Sequence, residues 1–373
     1  MPPNQKLLLI LVAALLLLAA AWLAFRPAKP AEATAPGTPP ASSATAPNPL
    51  TAASVRLRSK PAAPAARQTL ADLRATLAAM SGDEAVAWIE TYLTSGEDQS
   101  TGLEFEIGPD GTMTGWPTFR TFLLDALLTL DPAAAARISR GILTEPTTAD
   151  EWALALRNIG RVETGEETAS FLRERTEALI ANPAWQAKPS VGYLNAFDVL
   201  VHTRATASTP LLSGLIQNKE RKDLAHAAFL TLDRLVQRDT VAELTLLGQD
   251  RALQQSRPEM TAQQFARADL RDPAQQTLVK AWLLDPARTP TELRSFAGVY
   301  PNTNRFVSHN LLTTESAPTG SDLAAHDREA LALITAWQAD PAFQPIAEHL
   351  ATMIARLKEF TGETQDIKTQ DAR

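Results

Sequence analysis

The chain has 373 residues, is 45% hydrophobic and 21% charged, and carries a formal charge of −7. That acidic balance argues against nucleic acid as a partner, which demands a basic face. The absence of cysteine removes disulfides, thiolate metal sites, a cysteine nucleophile and a lipid-modified cysteine, and is compatible with a bacterial periplasm.

From the N-terminus, residues 1–6 form a short tail, and residues 7–25 read LLLILVAALLLLAAAWLAF without a charge. A helix of that stretch is about 28 Å long at 1.5 Å rise per residue, close to the hydrocarbon thickness of a bilayer. It satisfies its own backbone polar groups in lipid. Trp22 and Phe25 lie near one edge, where aromatic rings favour the headgroup region. The expectation is a single-pass transmembrane helix or uncleaved signal anchor. Cleavage as a signal peptide is the alternative, with small residues suitably spaced at Ala19 and Ala21 or at Ala31 and Ala33. The apolar run exceeds the roughly 7–15 residues of a signal-peptide core, which favours the anchor. Lys6 on one flank and Arg26 and Lys29 on the other are nearly balanced. Orientation therefore follows from the short tail: N-terminus cytoplasmic, body periplasmic, in an inner membrane. A secreted or periplasmic product is the outcome if the segment is cleaved.

Residues 26–66 are mostly Pro, Ala, Ser and Thr. Too few apolar groups stand there to offset the entropy of ordering the backbone, so a disordered spacer is expected. Its prolines bias it toward extended polyproline II, with a reach on the order of 100 Å or less. The basic run Arg56, Arg58, Lys60 and Arg67 reads as part of this solvated spacer, with contact to anionic lipid or polymer as the other reading.

A helical body is expected over 67–360, because alanine and leucine dominate while aromatics are scarce. Thr69 opens a first helix with Leu70, Leu73, Leu77 and Met80 on one face. Ser81 and Glu84 form a capping box before a second helix carrying Val86, Ile89 and Leu93. Leu103, Phe105 and Ile107 then alternate with polar residues or glycine ahead of the turn Gly108-Pro109-Asp110-Gly111. That pattern predicts one small β-hairpin inserted between helices. The stretch 101–116 reads as a local cover over a helix end, with its exposed edge, where a partner strand would add, as the other reading.

A punctuation mark then recurs: Asp131-Pro132, Asn182-Pro183, Asp272-Pro273, Asp285-Pro286 and Asp340-Pro341, each followed by alanine. The acid or amide accepts hydrogen bonds from free N–H groups at a helix start, and proline presets φ at the first helical position. Thr148/Glu151, Thr164/Glu167 and Thr289/Glu292 add three capping boxes. Long apolar-faced runs follow at 152–159, 171–180, 193–201, 224–236, 278–284, 323–337 and 346–360. The tail from 361 to 373 is polar. The spacing of the marks keeps no strict period.

Residues 210–235 comprise a first apolar helix, a short charged turn at Asn218-Lys-Glu-Arg-Lys222, and a second helix with an alanine-rich middle. This unit resembles a HEAT repeat, with Ala225 standing where such units often carry an arginine. The resemblance implies an all-α fold: an irregular α-solenoid, a right-handed array of antiparallel helix pairs. The residues alone give many antiparallel helix pairs.

Catalytic signatures are missing. No G-x-x-x-x-G-K-[ST] loop, G-x-G-x-x-G after a strand, G-x-S-x-G elbow, H-E-x-x-H or S-x-x-K occurs. Five histidines (His202, His226, His309, His326 and His349) have no second histidine at metal-ligand spacing, and no metal or cofactor is expected. His202 and His226 read as hydrogen-bonded structural residues, and His326 and His349 as solvated ones. Trp88, Trp116, Trp152, Trp185, Trp282 and Trp337 read as core anchors. The densest polar cluster is Tyr300, Asn302, Asn304, Arg305, Ser308, His309 and Asn310. Arginine grips an anion in a fork and amides read hydroxyls, so this set suits a carboxylate-bearing peptide or a sugar. Its competing role is a helix connection whose amides cap neighbouring helix ends. His309 has no adjacent carboxylate to make it a general base. The reading is a membrane-anchored helical scaffold that presents a protein-interaction surface in the cell envelope, without evident catalysis. The alternative is an envelope enzyme or ligand-binding protein acting on peptide or glycan through 300–310.

Overall fold

In the computed structural model, which describes residues 48–145, 147–305 and 310–362, helix is present earlier in the chain than composition suggests. Asn48 accepts a hydrogen bond from the Leu50 N–H at 2.9 Å, and Pro49 opens helix α1 (Pro49–Arg58). Leu50, Ala53 and Leu57 are buried, and α1 lies against α2 (Ala63–Ala78). The expected spacer therefore does not extend to residue 66: its last part is two helices. Averaging over Pro, Ala and Ser hid one turn-spaced stripe whose leucines each stabilise by roughly 2 kcal/mol on burial. The helix expected to open at Thr69 starts instead at Ala63. The expected transmembrane helix at 7–25, the spacer up to 47 and the tail from 363 lie outside the described residues. Among the described residues no helix is long and apolar enough to cross a membrane.

Helix α3 (Gly82–Thr94) leads into the hairpin, whose strands β1 (Glu106–Ile107) and β2 (Met113–Gly115) pair antiparallel through a bulge. The hairpin buries Leu103, Phe105 and Met113 against the helices, as the alternation requires. There follow α4 (Phe119–Leu130), α5 (Pro132–Ile142), α6 (Ala149–Val162), α7 (Glu166–Ala181) and the short α8 (Pro183–Ala187). The run expected at 193–201 is broken at Phe197 into α9 (Val191–Ala196) and α10 (Asp198–His202). Next come α11 (Thr209–Gln217), α12 (Lys222–Arg238), α13 (Thr240–Gln249), α14 (Arg251–Ser256) and α15 (Pro258–Phe265). Helices α16 (Pro273–Leu283), α17 (Pro290–Val299), α18 (Gly320–Ala339) and α19 (Ala347–Thr361) complete the body.

Short joints fold successive helices back on one another. The closest such pairs are α5 with α6, α11 with α12 and α18 with α19. The α11–α12 pair coincides with the HEAT-like stretch, and Asn218 in its turn accepts from the backbones of Glu220 and Arg221. One contiguous hydrophobic core runs from Leu50 to Leu357 and includes Trp282 and Trp337. The other four tryptophans named above are half-buried against it.

The punctuation marks act as capping chemistry demands. Asp131, Asn182, Asp272 and Asp340 accept from the first N–H groups of the elements they precede. Asp285 caps only a turn, at Ala287. Thr289 and Glu292 form a complete reciprocal box. Thr148 makes half of one, because the Glu151 carboxylate is drawn away to Arg120. Thr164 caps nothing: α7 starts after Gly165, whose φ of 103° favours glycine.

Candidate functional site

The polar cluster at 300–310 leaves the core from an aromatic column. Tyr300 is fully buried and stacks on Phe296 with centroids 5.4 Å apart. Trp282 lies 5.6 Å from Phe296, and Phe265 lies 4.7 Å from Trp282. These rings come from α15, α16 and α17 and fix where the following loop begins. The Tyr300 hydroxyl has no hydrogen-bond partner among the described residues, and burial raises its pKa well above the ordinary phenol range. Asn302 donates its backbone N–H to the Ala266 oxygen at 2.9 Å and its side-chain amide to the Gln263 oxygen at 3.2 Å. Both acceptors lie at the C-terminal end of α15, so this amide closes a helix end. Asn304 is exposed and gives its main-chain oxygen to Arg267 at 2.6 Å.

Arg305 is exposed and makes no ion pair or hydrogen bond with another described residue. It borders a polar cavity of about 330 Å³ that also has Arg267, Arg271, Asp322 and His326 in its wall. His326 is itself buried, with Nδ1 3.0 Å from Asp327, rather than solvated as expected. His226, by contrast, is exposed rather than structural. His309 lies outside the described residues. Asn310 is buried and borders a different cavity of about 270 Å³, beside Asp198 and Arg234. The cluster thus divides: Tyr300 joins the core, Asn302 caps a helix, and Arg305 and Asn310 face separate spaces.

Two charge clusters hold this loop in place. At the first, Asp233 on α12 meets Arg267 at 2.5 and 3.0 Å and the Gln264 amide at 3.0 Å. The Asp233 and Arg267 side chains are 1% and 5% exposed. At the second, the extended strap from Asn310 to Glu315 crosses α6, α10 and α12. The Asp198 carboxylate accepts from the backbone N–H groups of Leu312 (2.7 Å) and Thr313 (3.0 Å), and from the Thr313 hydroxyl. Arg234 bonds to Asp198 at 2.8 Å and to Glu315 at 3.1 Å, and Arg238 reaches Glu315 at 2.9 Å. Leu311 is fully buried.

Two glycines make room for the strap. A Cβ on Gly160 would sit 2.7 Å from the Leu312 side chain. One on Gly111 would meet the Leu311 and Asn310 carbonyl oxygens, and Gly111 also has φ of 70°. The hairpin is engaged elsewhere too. Arg161 donates to the Asp110 oxygen, and Arg67 donates to the Thr114 oxygen and pairs with Glu106 at 3.1 Å. The strands proposed for strand addition therefore already carry contacts from α2, and the turn between them is held by α6 and the strap.

A groove that the sequence reading missed lies among α3, α4, α5 and α6, with a volume of about 730 Å³. Leu93, Ile138 and Ile142 give it apolar walls. At its base Arg120 forks onto Glu151 at 3.0 and 2.8 Å and donates to the Leu93 oxygen at 2.6 Å. Burial opposes the charge on Arg120, but the Glu151 carboxylate more than offsets it and holds the guanidinium pKa above its usual range. On the rim Arg137 forks onto Glu90 at 2.8 and 2.9 Å. The only sequence signal for this base was the Thr148/Glu151 box, which points to capping instead.

Among the described residues, no three His, Asp or Glu side chains are grouped to hold a metal ion. Comparison with protein-family models, curated proteins and solved structures returns no match.

Proposed function

We propose that this chain is a membrane-tethered helical scaffold, an irregular α-solenoid whose body binds another protein in the cell envelope. The tether is the apolar stretch 7–25, with residues 26–47 as the spacer that joins it to the body. One observation supports the interaction role above the rest: the groove among α3–α6 has apolar walls between two Arg–Glu pairs. An apolar centre with a polar, charged rim is the anatomy of a protein-binding patch. Its volume suits one or two anchoring side chains of a partner segment.

The test is site-specific photo-crosslinking in membranes of the native organism. A crosslinker replacing Thr144, exposed on the groove, is expected to capture a discrete partner. A crosslinker replacing Val241, exposed on α13, is expected not to capture it. Equal capture at both positions, or none at Thr144, contradicts the reading.

A further inference from the structure

The described part of the chain begins with a run of cations, most of them without counterions. Between residues 48 and 71 stand Arg56, Arg58, Lys60 and Arg67 and no acidic residue, in a chain whose net charge is −7. Arg67 pairs with Glu106, but Arg56, Arg58 and Lys60 are exposed and make no ion pair or side-chain hydrogen bond with another described residue. Elsewhere the body's arginines are largely matched with carboxylates, from Arg74 with Asp125 through Arg288 with Glu292.

These residues are held in place by the fold. Leu50, Ala53 and Leu57 seat one face of α1 in the core, so Val55 and Arg56 necessarily face outward. Val55, at 58%, is the most exposed of the large hydrophobic residues on the described surface. The outward face is therefore one apolar side chain set among exposed cations, a charge that anionic headgroups attract. Lysine and arginine at the end of a helix also complement its dipole, but that effect favours one or two charges near the last turn. It accounts neither for Lys60, which lies past the helix end at φ of 51°, nor for the missing acids.

Position in the chain supplies the partner. Residues 26–47 separate α1 from the apolar stretch 7–25. Even fully extended, a spacer of that length reaches only about 70 Å, so a tether at 7–25 holds α1, the first described helix after it, at high local concentration beside the bilayer. We infer that the outer face of α1 and the turn after it, Val55, Arg56, Arg58 and Lys60, form a docking surface for the anionic lipid headgroups of the membrane that holds the tether. The rest of the body is acidic and repelled by the same surface, so docking also sets its orientation, with the remaining helices away from the bilayer. This inference rests on the tether reading.

The natural absence of cysteine gives a clean test. Full-length Val55→Cys, labelled with an environment-sensitive fluorophore, is reconstituted into phosphatidylcholine vesicles with or without phosphatidylglycerol, each containing nitroxide lipid. Quenching is expected in the anionic vesicles and to be several-fold weaker in the neutral ones. Molar salt should abolish it, as should the Arg56→Glu/Arg58→Glu/Lys60→Glu background, whose fold is checked by circular dichroism. A Val241→Cys label should remain unquenched throughout. If the protein floats with the vesicles but the Val55 label stays in water, or is quenched equally in both lipids, the docking surface is overturned while the tether stands. If the protein does not float with either vesicle, the tether and the docking surface fall together.

Discussion

Around Asp125, the charged partners are all carried by packed helices. Arg157 on α6 lies 2.8 Å from one carboxylate oxygen, while Arg74 on α2 and the Trp116 indole lie 2.8 and 3.0 Å from the other. Around Asp198 one partner, Arg234, is on helix α12, but the other is a strap more than a hundred residues downstream. Both clusters are buried, but they differ in what happens when they break. The Arg157 side chain is 1% exposed and sits inside packed helices, so loss of Asp125 strands a charge. The strap around Glu315 has no secondary structure, so it can peel away and let both ions reach water. The comparison teaches that burial alone does not set the worth of an ion pair. The freedom of the elements that carry it matters equally.

The largest expected effect is at the rigid cluster. Asp125→Ala should cost about 3–5 kcal/mol in urea unfolding, because burial already depresses the Arg157 pKa and Asp125 is the chief group opposing it. A loss below about 1 kcal/mol would show that this cluster yields as easily as the strap.

Glu243 sharpens the contrast, since it is a buried carboxylate paired with no cation among the described residues. Thr209 donates to it at 2.7 Å, and burial pushes its pKa from 4.5 to about 7. A raised acid pKa means that the folded state holds the proton more tightly than the unfolded chain. Stability from this group is thus full below pH 4.5 and lost as pH rises toward 7. Glu243→Gln should remove that loss and gain about 2–3 kcal/mol over the native protein at pH 8, with little difference at pH 4. Equal stability of the two proteins across this range would contradict the assignment.

At the strap, Glu315→Gln should cost only about 1–2 kcal/mol, because Arg234 keeps Asp198 and Arg238 is half-exposed. The Leu312 and Thr313 amides should exchange with deuterium much faster in this variant while the helix amides stay protected. Unchanged exchange at those two amides would break the distinction between clusters. Arg137→Ala, on the groove rim with its side chain 59% exposed, should change stability by no more than about 0.5 kcal/mol.

Much of the fold was legible because its signals are local. Asp131, Asn182, Asp272 and Thr289 announce helix starts through chemistry that acts within three residues. The α11–α12 pair was readable from one apolar run, a charged turn and a second run. Helix α1 was not, because two leucines seven residues apart carry its packing within a Pro- and Ala-rich background. The site was less legible still. Asn302 and Asn310 are eight residues apart but serve opposite ends of a loop whose partners lie on α15 and at Asp198. Nothing local encodes that Arg120 and Glu151 meet at the base of a groove. Such pairings depend on which helices the core brings together, and no spacing in the chain records that.

The most direct measurement for the tethered scaffold is N-terminal sequencing of the protein recovered from carbonate-washed membranes. The account expects it in the pellet with residues 7–25 intact. Recovery in the soluble fraction, with a mature N-terminus near Trp22 or Thr34, would contradict it.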